Sequence, residues 1–234
     1  MAPFINDSRQ YKNPSLKTLV SVFFRFSSPI LLLSLFSAFL AIRIYLGQWT
    51  WWDAVAIGIV LTFQPFFEWL YHVFVLHFRP KTIGGKQFDL HVAQKHRIHH
   101  QEPWRLDTVF IPKRTELIAF GVTFLTWYLL SPTIQVAFTG ITWVMFMMLM
   151  YEWTHYLTHT NYRPRSKIVM RRWRHHRLHH FKNEHYWQGV VMHLADHILG
   201  TAPDHNKVET SPTCRTLGIN LKDDQSEKVT NDEV

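Results

Sequence analysis

The 234-residue chain has a single cysteine, Cys214. That rules out an intramolecular disulfide framework and any cluster of thiolate metal ligands. Charge is scarce too: Asp, Glu, Lys and Arg make up 18%, against ~25% in ordinary soluble domains. The opening stretch, Met1 to Tyr11, lacks an apolar run ending in a small-residue cleavage site, so no cleaved signal peptide is expected. Acidic residues number 17 against 25 basic ones, leaving a formal charge of +8. The basic residues do not form one stripe, which argues against a nucleic-acid partner. At this length one ordinary domain is expected.

Aromatics and histidines, in contrast, are abundant: 18 Phe, 10 Trp and 16 His. Long apolar blocks alternate with blocks dense in Lys, Arg and His, the pattern of a membrane protein with charged loops. Four stretches are candidate spans, at about 29–46, 52–78, 116–131 and 133–157. The turn Gly47-Gln48-Trp49-Thr50-Trp51 and the turn Ser131-Pro132 carry no Lys or Arg. The middle connection and the region after the fourth stretch are rich in both. The positive-inside rule therefore puts both termini and the middle connection in the cytoplasm. The expected fold is all-α and integral to the membrane: four transmembrane helices as two hairpins under a cytoplasmic, histidine-rich cap. Residues 1–28 read as a cytoplasmic segment with an interfacial helix near Ser15 to Phe26. Residues 29–206 form the membrane domain, and 207–234 are expected to be a disordered tail.

The spacing of ten histidines carries the functional reading. His72 and His77 end the second span. His96, His99 and His100 follow as H-x-x-H-H. His155 and His159 end the fourth span, and His176, His179 and His180 form a second H-x-x-H-H. All ten fall on the side that Lys and Arg mark as cytoplasmic. Helical positions i, i+3 and i+4 share a face, so each H-x-x-H-H is expected to aim three imidazoles at one point. His72 and His77 would diverge by roughly 140° on a regular helix. Either one leaves the helix near Arg79-Pro80, or a π-bulge realigns them. His175 competes with His176 for the first place of the second motif; the register of His96 favours His176. His91, His185, His193, His197 and His205 read as ordinary interfacial residues.

Ten imidazoles exceed the needs of one ion, so two metals are expected. Imidazole suits Fe, Zn, Cu and Ni alike. Glu68 and Glu152 lie four and three residues before His72 and His155 and are expected to accept ring N–H groups. Glu68-Trp69 and Glu152-Trp153 hint at an internal repeat.

At these clusters the sequence resembles the membrane fatty acid hydroxylase and sterol desaturase superfamily, in its fatty acid 2-hydroxylase-like branch. Tyr151 to His159, His175 to His180, His96 to Pro103, and Gly189 to Thr201 with Asp196 carry the likeness. The resemblance implies a di-iron site, isolated with iron or zinc, with all ten histidines as ligands. It also implies O2 as co-substrate and insertion of oxygen into a C–H bond of a fatty acyl or related lipid. Only some fifty residues precede the second span, so an external electron-transfer protein is expected, of cytochrome b5, ferredoxin or reductase type. The setting would be a bacterial inner membrane or the endoplasmic reticulum. Phe63, Phe66, Phe67, Trp143, Phe146 and Met147 are candidates to line a lipid channel. Desaturation, decarbonylation, or sterol or carotenoid hydroxylation on the same ligands are the alternatives. A divalent-metal transporter would instead place polar residues near the bilayer midplane.

Overall fold

The computed structural model describes residues 6–219. Eight α-helices follow in order: α1 Leu16–Phe23, α2 Ser27–Leu46, α3 Trp51–Leu70, α4 His91–Gln101, α5 Lys113–Leu130, α6 Ile134–Thr158, α7 Lys167–Phe181 and α8 Leu194–Ile198. A π-helical turn, Tyr71–Leu76, prolongs α3. To the expected all-α fold the structure adds one short hairpin, β1 Lys81–Ile83 against β2 Lys86–Phe88. Its turn is Gly84-Gly85, both at positive φ, where a side chain would be strained.

Helix α1 is separate from α2. Ser15 caps it by accepting the Thr18 N–H at 3.2 Å. Its Leu19, Val22 and Phe23 pack on Leu106, Val109, Phe110, Tyr156 and Leu157, while Leu16 and Val20 face outward. One face is thus seated on the cap and the other is exposed.

Helices α2, α3 with its π turn, and α6 are long and apolar enough to cross a membrane. Where four crossings were expected, three helices among the described residues meet that criterion. Helix α5 starts with Lys113, Arg114 and Glu116, and these cut short its apolar stretch. The central helix is α6, which packs against α2, α3, α5 and α7. Leu32, Phe39, Ile141 and Met145 form the core between α2 and α6.

The turns of the two hairpins meet at one end. Gln135 Nε2 donates to Gln48 Oε1 at 3.0 Å across the two loops. Beneath them the buried Arg43 donates to Asp53 Oδ1 from Nη2 at 2.7 Å and from Nε at 3.1 Å. Its Nη1 donates to the Gly47 carbonyl at 2.6 Å. Thr139 Oγ1 donates to Asp53 at 2.5 Å. Asp53 also takes the Thr50 N–H at 2.7 Å, capping α3. A charge pair this dry is tolerated because each guanidinium nitrogen has an acceptor. The histidines gather at the opposite ends of these helices.

Candidate metal centre

The ten expected histidines come together as two sets of five. His72, His77, His96, His100 and His179 form the first; His99, His155, His159, His176 and His180 form the second. Within each set one ring nitrogen per residue lies within 4.8 Å of all the others. The two sets touch, since the His100 and His180 rings stack at 4.1 Å.

Two local features of the chain produce this split. In α3 the backbone changes to π-helix at Tyr71, and the His77 N–H reaches the His72 carbonyl at 3.0 Å. A π turn takes one more residue than an α turn, so histidines five apart come onto one face. The bulge is the solution adopted, with His77 as the terminal residue. In α4 and α7 the expectation of three imidazoles aimed at one point is corrected. His96 and His100, at i and i+4, turn to the first set, while His99 turns to the second. On α7 the pattern reverses: His176 and His180 face the second set and His179 the first. Positions i+3 and i+4 diverge by roughly 100° around a helix, so each motif straddles the two sets.

The nitrogen contacts test whether a cation fits. His100 Nδ1 lies 2.9 Å from the Cys214 carbonyl, and His179 Nδ1 lies 2.9 Å from the Tyr186 carbonyl. A carbonyl only accepts, so both Nδ1 atoms carry the proton, and in neutral rings both Nε2 atoms are bare. These two Nε2 atoms face each other at 3.3 Å. His72 is held in the same way, its Nδ1 2.6 Å from the Gln188 carbonyl. Its Nε2 and that of His100 each lie 3.1 Å from His96 Nε2, which has at most one proton to share. In the second set His99 Nε2 lies 3.1 Å from His155 Nε2 and 3.2 Å from His159 Nε2. The facing lone pairs of His100 and His179 repel unless a cation lies between them.

Protonated rings do not relieve this. Burial, reinforced by neighbouring histidines, pushes His77, His96, His99, His159, His176, His179 and His180 well below the ordinary 6.5. Burial takes His100 down to about 3, against a small upward pull from the Cys214 carbonyl. Neutral imidazole is the metal-binding form, so the residues present fit a metal pair.

Glu68 and Glu152 take other partners than expected. Neither accepts a ring N–H. Glu68 Oε1 takes the N–H groups of Val190 and, at 2.9 Å, Val191. Glu152 Oε1 takes the Ile111 N–H at 2.8 Å and the Ser28 hydroxyl at 2.7 Å. Each carboxylate therefore fixes a peptide segment whose carbonyl, Gln188 or Val109, holds a histidine of the same helix. His155 Nδ1 lies 2.9 Å from the Val109 carbonyl.

His175, the rejected alternative to His176, lies in neither set. It stands 3.0 Å from Asp196 and stacks on His193 at 3.7 Å. His91, His185, His193, His197 and His205 also lie outside both sets. Phe63 and Phe67 face outward from α3 rather than lining an inner channel. Met147 is buried against Val60 and Val191.

Two contributors were not foreseen. The segment after Lys207 was expected to be disordered and without a role, yet residues 208–219 pack against the cap. The Cys214 carbonyl holds His100, the Ser211 N–H donates to the Lys182 carbonyl at 2.7 Å, and Thr213 Oγ1 donates to Glu184 at 2.5 Å. Positions 220–234 lie outside the described residues. At the other terminus the Ser8 hydroxyl donates to the His159 carbonyl at 2.5 Å. Backbone acceptors leave no side-chain signature, so sequence reading had no signal for them.

The motifs and the geometry agree with comparison to known proteins. The sequence profile of fatty acid hydroxylases matches residues 55–201, well over half of the chain. The chain belongs to the fatty acid hydroxylase family. Dihydroceramide fatty acyl 2-hydroxylase FAH1 of Arabidopsis thaliana is 29% identical over 150 residues, 64% of this chain. The matched part spans 60% of that relative's length. The hydroxylase domain seen in the structure of full-length scs7p superposes with a TM-score of 0.65. That match covers 88% of this chain and 71% of the other at 16% identity, so it bears on the fold alone. In a member of this family, two histidine sets able to hold metal thus lie at one end of apolar helices.

Proposed function

We propose that the chain is an O2-dependent di-iron hydroxylase that inserts oxygen into a C–H bond of a fatty acyl or related lipid. The observation that carries this reading is the pair of five-histidine sets, with two bare Nε2 atoms facing each other in the first, in a member of a hydroxylase family. Two irons held by those ten residues would supply O2 activation, with two electrons arriving from a separate redox protein.

The chain's own residues do the rest. Neutral imidazoles present lone pairs without first shedding a proton. Nine of the ten rings are buried, which keeps bulk water from the site. Substrate would come from the bilayer. Helix α5 exposes Leu117, Ile118, Val122, Leu125 and Leu129, an apolar face too long for water to cover without cost. That exposure supports α5 as a fourth crossing helix, and the charge of the connecting loops supports a cytoplasmic cap with both termini on that side.

The test is oxygen-18 incorporation. Chain purified from iron-fed cells is given membrane lipid, labelled O2 and a reducing system, with metal per chain and Mössbauer spectra recorded in parallel. The expected result is two coupled irons per chain and one labelled oxygen atom in a hydroxylated lipid. Tightly held zinc alone after anaerobic purification, with no label in lipid, would overturn the reading.

A further inference from the structure

The two sets of five are held in different ways. In the first, three rings are locked through Nδ1 by backbone carbonyls: His72 by Gln188, His100 by Cys214 and His179 by Tyr186. In the second, His155 is locked by Val109, and the Pro103 carbonyl lies beside His159 without completing a bond to its Nδ1. The Nδ1 atoms of His99, His176 and His180 are buried with no partner among the described residues. An Nδ1–H bond fixes both the tautomer and the rotation of a ligand ring before metal arrives.

The segment that locks His179 and His72 is itself clamped at every amide. Trp187, between the two carbonyls, sits at φ +57 in the left-handed region that bulky residues avoid. That turn aims the Tyr186 and Gln188 carbonyls at two ligands of one set. The Trp187 N–H donates to the Thr201 carbonyl at 2.7 Å. Asp196, wholly buried, takes the N–H of Gln188 at 2.9 Å, the N–H of Gly189 at 2.7 Å and the Thr201 hydroxyl at 2.6 Å. Glu68 takes the next two, Val190 and Val191. Gly189 is required, because a Cβ there would lie 2.9 Å from Asp196 Oδ2 and closer still to the Met192 carbonyl. Among the described residues nothing comparable braces the unpartnered rings of the second set.

We propose that the two metal positions are unequal. The set of His72, His77, His96, His100 and His179 is the tight one, and Asp196 and Glu68 are positioning residues that hold its peptide lock. This rests on the two-metal reading above. Loss of such an outer contact typically weakens metal binding ~10–100-fold, so an excess of two locked rings separates the sites by at least about tenfold.

The experiment is stepwise stripping of the full-length chain in detergent, loaded with Zn2+ and challenged with graded chelator, counting Zn2+ per chain. Two releases at least about tenfold apart in free Zn2+ are expected. The neighbours His179 and His180 separate the sites on one helix. His180→Ala should keep the tight Zn2+, and His179→Ala should lose it. Asp196→Asn puts an amide donor against the Gln188 or Gly189 N–H. It should weaken the tight step ~10–100-fold and leave the weak step in place; a general folding lesion would move both. Joint release of both ions within about threefold, too small for a lost outer contact, would overturn the proposal. So would a tight Zn2+ retained by His179→Ala, or equal loss of both steps in Asp196→Asn. Fewer than two Zn2+ per wild-type chain would instead overturn the two-metal reading itself.

Discussion

Acidifying the metal-stripped chain should unfold its cap in a window fixed by the buried imidazoles. Eight of the ten lie outside the crossing helices: His77, His96, His99, His100, His159, His176, His179 and His180. All are pushed below 6.5 by burial, His100 to about 3. In the unfolded cap each returns to about 6.5. Between those limits the unfolded chain binds more protons, so stability is complete above about pH 6.5 and falls as pH drops toward the folded values. At pH 5.5 each ring costs about 1.4 kcal/mol, a figure that depends on the unfolded value and not on how far the folded one is depressed. Eight rings together reach the order of 10 kcal/mol, comparable to the ~5–15 kcal/mol that holds a domain together. Bound metal must be displaced before these rings protonate, so the loaded chain should resist to lower pH. Tryptophan fluorescence from Trp104, Trp173 and Trp187 in detergent reads the transition, with limited proteolysis at Arg171-Arg172 as a second probe. Native signals from stripped chain at pH 4.5, or identical midpoints for stripped and loaded chain, would refute the reasoning.

Two further outcomes concern the scaffold. Arg43→Met leaves Asp53 buried without its cation and should cost about 3 kcal/mol in detergent unfolding. Adding Asp53→Leu should recover all but about 1 kcal/mol, the part lost with the α3 cap, and turnover per folded chain should not change. Gly140→Ala should loosen α5 from α6, because a Cβ would enter the Trp127 ring; a cost of about 1–3 kcal/mol, measured in the same assay, is expected.

The gathering of the ten histidines was legible because side-chain identity and spacing are written in sequence. Charge asymmetry placed the polar ends, and turn composition placed the two hairpins within a few residues of Ser27–Leu46, Trp51–Leu76, Lys113–Leu130 and Ile134–Thr158. The His72–His77 spacing even named the π turn as one of two solutions. The partition of each H-x-x-H-H across two sets was missed, because neighbouring helix positions diverge by roughly 100° and turn toward different sets. The carboxylates were noticed and misassigned: spacing put Glu68 and Glu152 on the right faces, but not which hydrogen they take. The Arg43–Asp53 pair joins the ends of two helices across a turn, and residues ten apart with no helical relation give no pattern to read.

The faint Glu-Trp repeat acquires a physical meaning once the peptide segments are in view. In α3, Glu68 binds the amide of Val190, two residues beyond the Gln188 carbonyl that holds His72. In α6, Glu152 binds the amide of Ile111, two residues beyond the Val109 carbonyl that holds His155. The same three-residue bracket thus serves both hairpins, carbonyl to histidine and amide to glutamate. The spacings differ by one at each step: Glu68 to His72 to His77 runs four then five, and Glu152 to His155 to His159 runs three then four. The extra residue between the two histidines is what the π turn of α3 absorbs. Two helices with unequal spacing therefore present equivalent histidine pairs, and the asymmetry of the centre arises elsewhere, in the segments that follow α7 and brace only one of its two halves.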